Sequence, residues 1–228
     1  MPDPSFPSQP LYIKHYFPNI MDKIPNMDNA LKIVSLLEKD IFQEYSVHQI
    51  SKLVSLDYKT ISKTIKQLLS MKIITTKTKG KGHFISLNLN HYDLQIYLSF
   101  ATYYNRLLFF QKDTSLQYLV EELKVMDLRN SCLILFGSHV VQQQTKSSDV
   151  DLLLITNNQQ TATRIKSLLL NYNLKADLNI LSFSHYEKAL RSREFNLVNQ
   201  VLPKHIILKN PALYWDLTLG GLKDGNRY

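Results

Sequence analysis

One stretch of the chain, residues 133–156, constrains the fold more than any other. Its sequence, LILFGSHVVQQQTKSSDVDLLLIT, places a polar segment between two apolar runs, with Gly137-Ser138 at one end and Asp149-Val150-Asp151 at the other. Residues i and i+2 of a strand point to the same face, so Asp149 and Asp151 are expected to share one spot while Val150 enters the core. Because burying unpaired carboxylates is strongly unfavourable, this spot requires a compensating charge.

A divalent cation is the compensation that suits two carboxylates at one spot. Mg²⁺ prefers hard oxygen ligands and takes one or two protein carboxylates together with substrate phosphates. Gly137 lets the backbone approach a ligand closely, and a helix predicted to begin at this turn would offer unpaired amides to phosphate. A phosphate-binding turn beside metal-binding carboxylates is the combination that phosphoryl transfer uses.

This combination resembles the minimal nucleotidyltransferases of the polymerase-β-like nucleotidyltransferase superfamily. Their signature is Gly-Ser, a helix-sized gap and Asp-x-Asp-Leu, and it is matched here by Gly137-Ser138 and by Asp149-Val150-Asp151-Leu152. The resemblance covers residues 131–228. It implies a third catalytic acid on a later strand, which is Asp177 in LKADLNIL; the alternative for Asp177 is a surface acid on an edge strand.

The resemblance also implies a role for each residue of the site. Gly137 and Ser138 would bind the nucleotide, ATP being the expected NTP. Asp149 and Asp151 would hold Mg²⁺, as one ion or two, and Asp149, Asp151 and Asp177 would be catalytic. Many minimal members follow Gly-Ser with a basic Ala-Arg-Gly-type stretch, whereas this chain has HVVQQQTK. Lys146 or His139 could replace the missing arginine, although His139 fits the surface of a helix equally well.

A second feature is a concentration of lysines. The formal net charge is +8 and the pI about 9.4, and residues 27–90 contain ten lysines, no arginine and five acids. Residues 57–81 alone contain seven of these lysines. A basic stripe of this kind is typical of a nucleic-acid binder, and a solvated lysine face is the alternative.

The pattern of elements in the same segment resembles a winged helix-turn-helix. Helical spacing predicts three helices, in NMDNALKIVSLLEKDIF, SVHQISKLVSL and DYKTISKTIKQLLSMK, and Ser46 with Gln49 forms a capping-box pattern. IITTKTKGKGHFISLNL then predicts two strands around a turn. In such folds the third helix enters the major groove. Ile50, Leu53 and Val54 are expected to form the inner face of the second helix, and Thr64 to be exposed on the third.

The resemblance implies that the third helix and the wing contact nucleic acid. Lysine without arginine favours phosphate contacts over base recognition, so sequence specificity would come from Tyr58, Thr60, Thr64 and Gln67. The alternative is a winged helix that serves protein pairing or acts as a spacer. The predicted nucleic-acid-binding residues are Tyr58, Lys59, Lys63, Lys66, Lys77, Lys79 and Lys81.

Four segments follow from these patterns. Residues 1–25, with six of the eight prolines, are expected to form an extended arm, and residues 26–90 the winged helix-turn-helix. Residues 91–130 form linking helices, the first of which is rich in aromatic residues. These aromatics favour packing between the domains or between two copies in a homodimer over stacking on bases. Residues 131–228 alternate strands and helices, so the fold class is α+β, with a mixed sheet of the nucleotidyltransferase type.

Composition excludes some classes of protein. No run of eighteen apolar residues exists, which excludes a membrane span, and the N-terminus lacks the layout of a signal peptide. The single cysteine, Cys132, cannot form an internal disulfide and is expected in the core. These observations favour a cytoplasmic protein.

The combined expectation is an Mg²⁺-dependent nucleotidyltransferase that moves an NMP from an NTP to an acceptor hydroxyl. The acceptor would be a nucleic acid or a protein, for which the superfamily offers the precedent of toxin-type partners, and the winged helix would bind DNA or RNA. The alternative is a DNA-binding transcriptional regulator or antitoxin whose nucleotidyltransferase-like domain senses a nucleotide or a partner without turnover.

Overall fold

The chain folds into helices and two β-sheets in an α+β arrangement, described by a computed structural model over residues 27–80, 82–114, 116–141 and 149–224. The expected N-terminal arm, Lys81 and Lys146 lie outside the described residues. The first sheet is antiparallel, with strand order β1 (Tyr45–Ser46), β3 (Gly82–Leu87) and β2 (Ile74–Lys79). The second is mixed, with order β6 (Ala176–Leu181), β5 (Val150–Thr156), β4 (Ser131–Phe136) and β7 (Ile206–Lys209). Among the described helices none is long and apolar enough to cross a membrane.

The three helices and the hairpin predicted for the N-terminal half are present. The predicted capping box is confirmed, because Ser46 Oγ accepts from Gln49 N at 3.2 Å while Gln49 Oε1 accepts from Ser46 N at 2.8 Å. Asp57 caps the third helix by accepting from Thr60 N at 2.9 Å. The elements are α1 Met27–Glu38, β1 Tyr45–Ser46, α2 Val47–Val54, α3 Tyr58–Ser70, β2 Ile74–Lys79 and β3 Gly82–Leu87.

Two side chains of this half lie opposite to their predicted positions. Thr64 was expected on the exposed face, but it is 1% exposed, because it lies three residues after Ile61 on the stripe that faces the core. Its hydroxyl donates to Thr60 O at 2.9 Å. Leu53 was expected inside, but it is 58% exposed, since the short helix α2 presents Val47, Ile50 and Val54 to the core instead.

The aromatic-rich linking helix, α4 Leu94–Lys112, packs against α1 and against the C-terminal helix α9 (Pro211–Asp224). Its residues Phe100 and Phe109 are buried, and Tyr97 and Tyr104 pack against the core. Tyr92, in contrast, precedes the helix and is exposed. The aromatic side chains of α4 therefore serve packing within the chain, and a homodimer through this helix stays a prediction.

The C-terminal half contains the mixed sheet. Strand β4 pairs antiparallel with both β5 and β7, whereas β5 pairs parallel with β6 after the crossover helix α6 (Gln159–Asn171). The elements, preceded by α5 Gln117–Val125, are β4 Ser131–Phe136, β5 Val150–Thr156, α6 Gln159–Asn171, β6 Ala176–Leu181, α7 Phe183–Arg191, α8 Leu197–Val201, β7 Ile206–Lys209 and α9.

The central strands β4 and β5 are buried on both faces, which explains why their sequences are continuously apolar. One hydrophobic cluster joins Cys132, Ile134, Leu153 and Ile155 to α7, α9 and the N-terminal helices. The other cluster contains the alternate residues Leu133, Leu135, Val150, Leu152 and Leu154 together with α5 and α6. The predictions that Cys132 and Val150 are core residues are confirmed.

A buried polar network connects the N-terminal helices to the C-terminal half. Glu38 accepts from Thr102 Oγ1 at 2.8 Å and from Asn105 Nδ2 at 2.6 Å, and Trp215 Nε1 donates to Thr102 Oγ1 at 2.9 Å. Burial raises the pKa of Glu38 to about 7, against the opposing effect of these hydrogen bonds. His205 Nε2 lies 4.0 Å from Glu38 Oε1, and burial lowers the pKa of His205 to about 4.

Glu38→Gln should stabilise the protein increasingly as the pH rises from 4.5 to 7. In this window Glu38 has lost its proton in the unfolded chain but keeps it in the folded chain, so rising pH erodes the wild-type stability until about pH 7. At about 1.4 kcal/mol per pKa unit, the free energy of unfolding of the variant should rise by about 3 kcal/mol relative to that of the wild type across this window. The difference should stay constant above it. Urea unfolding at a series of pH values measures this difference.

The control for this prediction is Glu194→Gln, which neutralises an exposed acid. Its difference from the wild type should stay small and nearly constant across the same pH range. A Glu38→Gln difference that is equally flat would contradict the prediction.

Candidate functional site

Strand register brings two of the three predicted aspartates side by side. Asp151 of β5 pairs with Asp177 of the parallel strand β6, and it faces Phe136 of β4 on its other side. Asp149 lies two residues earlier, immediately before β5, so alternation places it on the same face as Asp151. All three carboxylates thus belong to one corner of the mixed sheet.

Asp151 lies in a region of negative potential. Burial raises the pKa of its carboxyl group, the charge of Asp177 raises it further, and Asp149 adds a smaller effect in the same direction. A hydrogen bond from the backbone amide of Ser138 and the nearby imidazole of His139 oppose this shift. The Ser138 amide, predicted to bind phosphate, therefore binds a carboxylate of the site in this structure.

Gly137 is packed against Asp151. Its φ is +72°, and a Cβ built on it would overlap Asp151 Oδ2 and lie 2.7 Å from Asp151 Cγ. Residues without a Cβ adopt such a backbone readily, whereas other L-residues pay a penalty. The close approach of the turn to a carboxylate requires a glycine here, independently of any phosphate, and the role of Gly137 in nucleotide binding stays a prediction.

The helix predicted to begin at this turn is, over residues 137–141, only a short 3₁₀ helix, Gly137–His139, followed by a turn. It closes with Val140 N donating to Gly137 O at 3.2 Å. A segment this short has no appreciable dipole, so the described residues do not provide the helix terminus expected for phosphate. The lysine proposed to replace the missing arginine, Lys146, lies outside the part of the chain that the structure describes.

His139 is buried rather than on a helix surface, with only 8% of its surface exposed. Among the residues that the structure describes, neither ring nitrogen has a hydrogen-bond partner. No sequence pattern predicts this burial, because the three-residue segment that contains His139 has no periodicity from which its inner face can be predicted.

A lysine that the sequence analysis missed compensates one of the carboxylates. Lys175 Nζ lies 2.6 Å from Asp149 Oδ1. The parallel pairing brings them together, since Val150 N, at the start of β5, donates at 2.9 Å to the carbonyl oxygen of Lys175, the residue before β6. Both side chains remain partly exposed, so the pair contributes little to stability. Lys175 therefore supplies part of the positive charge that this corner of the sheet requires.

The three aspartates do not form a closed metal cage. Within the residues that the structure describes, no group of three or more His, Cys, Asp or Glu side chains lies close enough together to hold one metal ion. Asp177 is exposed and accepts from Asn179 Nδ2 at 3.2 Å. Mg²⁺ takes only one or two protein carboxylates when substrate phosphates complete its shell, so the donor set fits a cation that arrives with a nucleotide.

The predicted nucleic-acid face of α3 is exposed. Tyr58, Lys59, Ser62, Lys63 and Lys66 line an open surface depression of about 410 Å³, and Tyr58 is 63% exposed. Of the other side chains expected to recognise bases, one is removed from the surface. Thr64 is buried, and Gln67 is half-buried.

Lys77 and Lys79 of the hairpin differ from the lysines of α3, because both lie near one carboxylate. Glu44 lies 2.6 Å from Lys79 Nζ and 3.6 Å from Lys77 Nζ. The hydrogen bond from Lys79 lowers the pKa of Glu44. Lys79 also lies 5.8 Å from the ring centroid of Phe84. Two of the predicted phosphate contacts are thus engaged within the chain.

Comparison with known proteins does not identify a family for this chain. No protein-family model matches the chain, and no curated protein matches it in sequence. A crystal structure of the adhesin competence repressor AdcR from Streptococcus pyogenes is similar to part of it, with 16% sequence identity and a TM-score of 0.33. The match covers 52% of this chain and 85% of that chain. A TM-score this low does not establish a shared fold.

Gly137→Ala should destabilise the protein far more than Gly80→Ala. Both glycines have a positive φ, but a Cβ at Gly80 meets nothing within 4 Å, so Gly80→Ala should cost only the backbone penalty of about 1 kcal/mol. Gly137→Ala should cost about 1–3 kcal/mol more, because it forces the Asp151 side chain to move. Denaturant unfolding of the two variants measures the difference.

A double-mutant cycle identifies the cause. The cost of Gly137→Ala should fall when Asp151→Ala removes the carboxylate that the new Cβ meets. An unchanged cost in the Asp151→Ala background would show that the glycine is required for another reason.

Proposed function

We propose that this protein is an Mg²⁺-dependent nucleotidyltransferase that transfers an NMP from an NTP to an acceptor hydroxyl. The observation that carries the proposal is the close packing of the Gly137-Ser138 turn against Asp151, with Asp177 as the paired neighbour of Asp151 on the next strand. This packing puts backbone amides and carboxylates at one spot, which is the arrangement that phosphoryl transfer uses.

Asp149 and Asp151 are the residues that would hold the cation. Mg²⁺, when bound, neutralises charge on the phosphates and carboxylates. The raised pKa of Asp151 reflects burial and its two acidic neighbours, so positive charge is favoured at this point. Asp149 would exchange its ion pair with Lys175 for the cation. The Lys175 ammonium would then be available to a phosphate oxygen, in the role of the arginine that this chain lacks after Gly137-Ser138.

Asp177 would face the acceptor. Its side chain is exposed beside Asp151, so an incoming hydroxyl can reach it from solvent. A carboxylate within hydrogen-bond reach of that hydroxyl can accept its proton. The molecule that carries the transferred NMP identifies the acceptor class, which is either a protein or a nucleic-acid end.

The decisive experiment incubates the full chain with each of the four α-labelled NTPs and Mg²⁺. Label should appear on the protein, on added RNA or on DNA with the wild type. It should fall to background with Asp149→Asn/Asp151→Asn, whose folded state should persist because the change removes clustered negative charge. The matched control is Asp216→Asn, which neutralises an exposed acid on α9 and should transfer label at the wild-type rate.

Two results would reject the proposal that the aspartate site catalyses nucleotidyl transfer. If the double variant transfers label like the wild type, the aspartate site is not responsible. If the wild type binds a nonhydrolysable NTP analogue but no acceptor is ever labelled, the site senses the nucleotide without turnover. That second outcome favours a regulator that uses the same residues.

We further propose that the exposed face of α3 binds the phosphate backbone of nucleic acid. The supporting observation is the depression lined by Tyr58, Lys59, Lys63 and Lys66. Three of these residues are lysines, and no carboxylate is among the residues that line the depression. Tyr58 can in addition stack on a base or sugar. The hairpin lysines would add contacts once Glu44 releases them.

The dependence of affinity on salt should follow the lysines of this face. Each phosphate neutralised on B-form DNA contributes about −0.9 to the slope of log affinity against log salt concentration. The triple variant Lys59→Gln, Lys63→Gln, Lys66→Gln should flatten that slope, whereas Glu44→Gln should steepen it by freeing Lys77 and Lys79. Fluorescence anisotropy with a labelled duplex at several salt concentrations measures both slopes.

The matched control removes the same charge from exposed lysines of the C-terminal half and should change the slope little. An equal flattening by this control would indicate binding through net charge rather than through α3, and an absence of duplex binding at low salt would contradict the proposal. The control positions are Lys166, Lys188 and Lys223.

A further inference from the structure

A cavity of about 500 Å³ lies between α4, α5, the segment leading into β4, and the end of β7. Neither the residues of the aspartate site nor those of the lysine face line it. Its volume falls within the range of about 300–1,000 Å³ that small-molecule sites occupy. The cavity therefore has the dimensions of a binding site that the proposed functions do not use.

Most of the cavity wall is apolar. Phe100 contributes an aromatic surface from α4, and the remaining apolar surface comes from aliphatic and thioether side chains of four elements. Burying an apolar ligand body against such a wall is favourable in proportion to the area removed from water. The other apolar lining residues are Leu107, Val120, Met126, Leu128 and Leu208.

Two cations converge on this apolar wall. Arg106 Nη1 donates to Leu208 O at 2.6 Å, and its guanidinium lies 4.7 Å from the ring centroid of Tyr103. Lys209 Nζ donates to Leu123 O at 2.7 Å. Lys209 ends β7 and α4 carries Arg106, so the packing of α4 on the sheet brings the two side chains to the same cavity.

The charge of Lys209 is not balanced by a carboxylate in contact with it. Burial and the neighbouring charge of Arg106 lower the pKa of Lys209, and Asp127 only partly opposes this effect. Asp127 is engaged by Arg129, at 2.8 Å and 3.0 Å, and the rim residue Lys124 pairs with Glu121 at 2.7 Å. Within the described residues Lys209 has only main-chain carbonyls as acceptors.

We infer that this cavity binds a small amphipathic anion, a carboxylate or phosphate ester on an apolar body. The head group would lie between Arg106 and Lys209, and the body would pack against Phe100 and the aliphatic wall. An anion beside Lys209 offsets the effects of its burial and of the neighbouring charge of Arg106, and an arginine beside a lysine provides directed donors for carboxylate or phosphate oxygens. The apolar wall favours a ligand larger than an inorganic ion.

The test uses three probes with the same apolar body: phenylbutyrate, phenylbutyl phosphate and the neutral phenylbutanol. Isothermal titration calorimetry on the full chain should show that at least one anion binds about tenfold or more tightly than phenylbutanol, since hydrogen bonds to charged groups contribute on this scale. The tighter of the two anions assigns the head group. Equal affinities for the alcohol and both anions, or no binding of either anion, would overturn the inference.

Lys209→Gln locates the site. It should weaken binding of the preferred anion by about tenfold while leaving phenylbutanol unchanged. Lys124→Gln is the matched control, because this rim lysine already pairs with Glu121 and should be nearly neutral. An effect of Lys124→Gln as large as that of Lys209→Gln would indicate attraction by net charge alone and would overturn the inference.

A second variant tests the cavity through its volume rather than its charge. Val120→Phe places a larger side chain in the wall and should weaken all three probes together. Circular dichroism checks that each variant is folded, and Lys209→Gln alone decides the matter if Val120→Phe does not fold. A folded Val120→Phe variant that binds the probes like the wild type would overturn the location.

Discussion

The antiparallel pairing of β4 with β5 is the interaction on which the rest of the structure depends. Both strands are buried on both faces, and alternate residues enter one hydrophobic cluster or the other. Slipping the register by one residue would send every side chain to the opposite face. It would also move Asp151 away from Phe136 and from the Gly137 turn that packs against its carboxylate. The candidate site is therefore a consequence of the register that forms the core.

Residues of the chain compensate only part of the negative charge at this site. Lys175 pairs with Asp149, and the Ser138 amide donates to Asp151, yet the pKa of Asp151 is still raised. Three neighbouring acids with one exposed lysine form a site that favours additional positive charge. This balance, rather than a closed set of ligands, connects the structure to the proposed binding of Mg²⁺ together with a nucleotide.

Helix α4 connects the two halves of the molecule. It contributes residues both to the buried polar network around Glu38 and to the cavity beside β7. Its residues Thr102 and Asn105 donate to the buried Glu38 of α1, while Phe100 and Arg106 line the cavity beside β7. The high aromatic content of this helix is explained by packing on several sides. The same helix thus supplies a buried, pH-sensitive contact to the N-terminal helices and a wall to a cavity of mixed apolar and cationic character.

By itself the sequence determined the elements whose signals are local. Helical spacing and the capping box of Ser46 predicted α1 to α3, and alternation predicted that Val150 is buried between two aspartates on one face. The family resemblance had assigned Asp177 to the site, and the tertiary structure pairs it with Asp151. Only the tertiary structure decided that Lys175 lies beside Asp149 and Glu44 beside Lys77 and Lys79. Periodicity and caps depend on neighbours a few residues away. Partners across parallel strands, or between a loop and a hairpin, depend instead on how loops close and cores pack, and no local pattern encodes this.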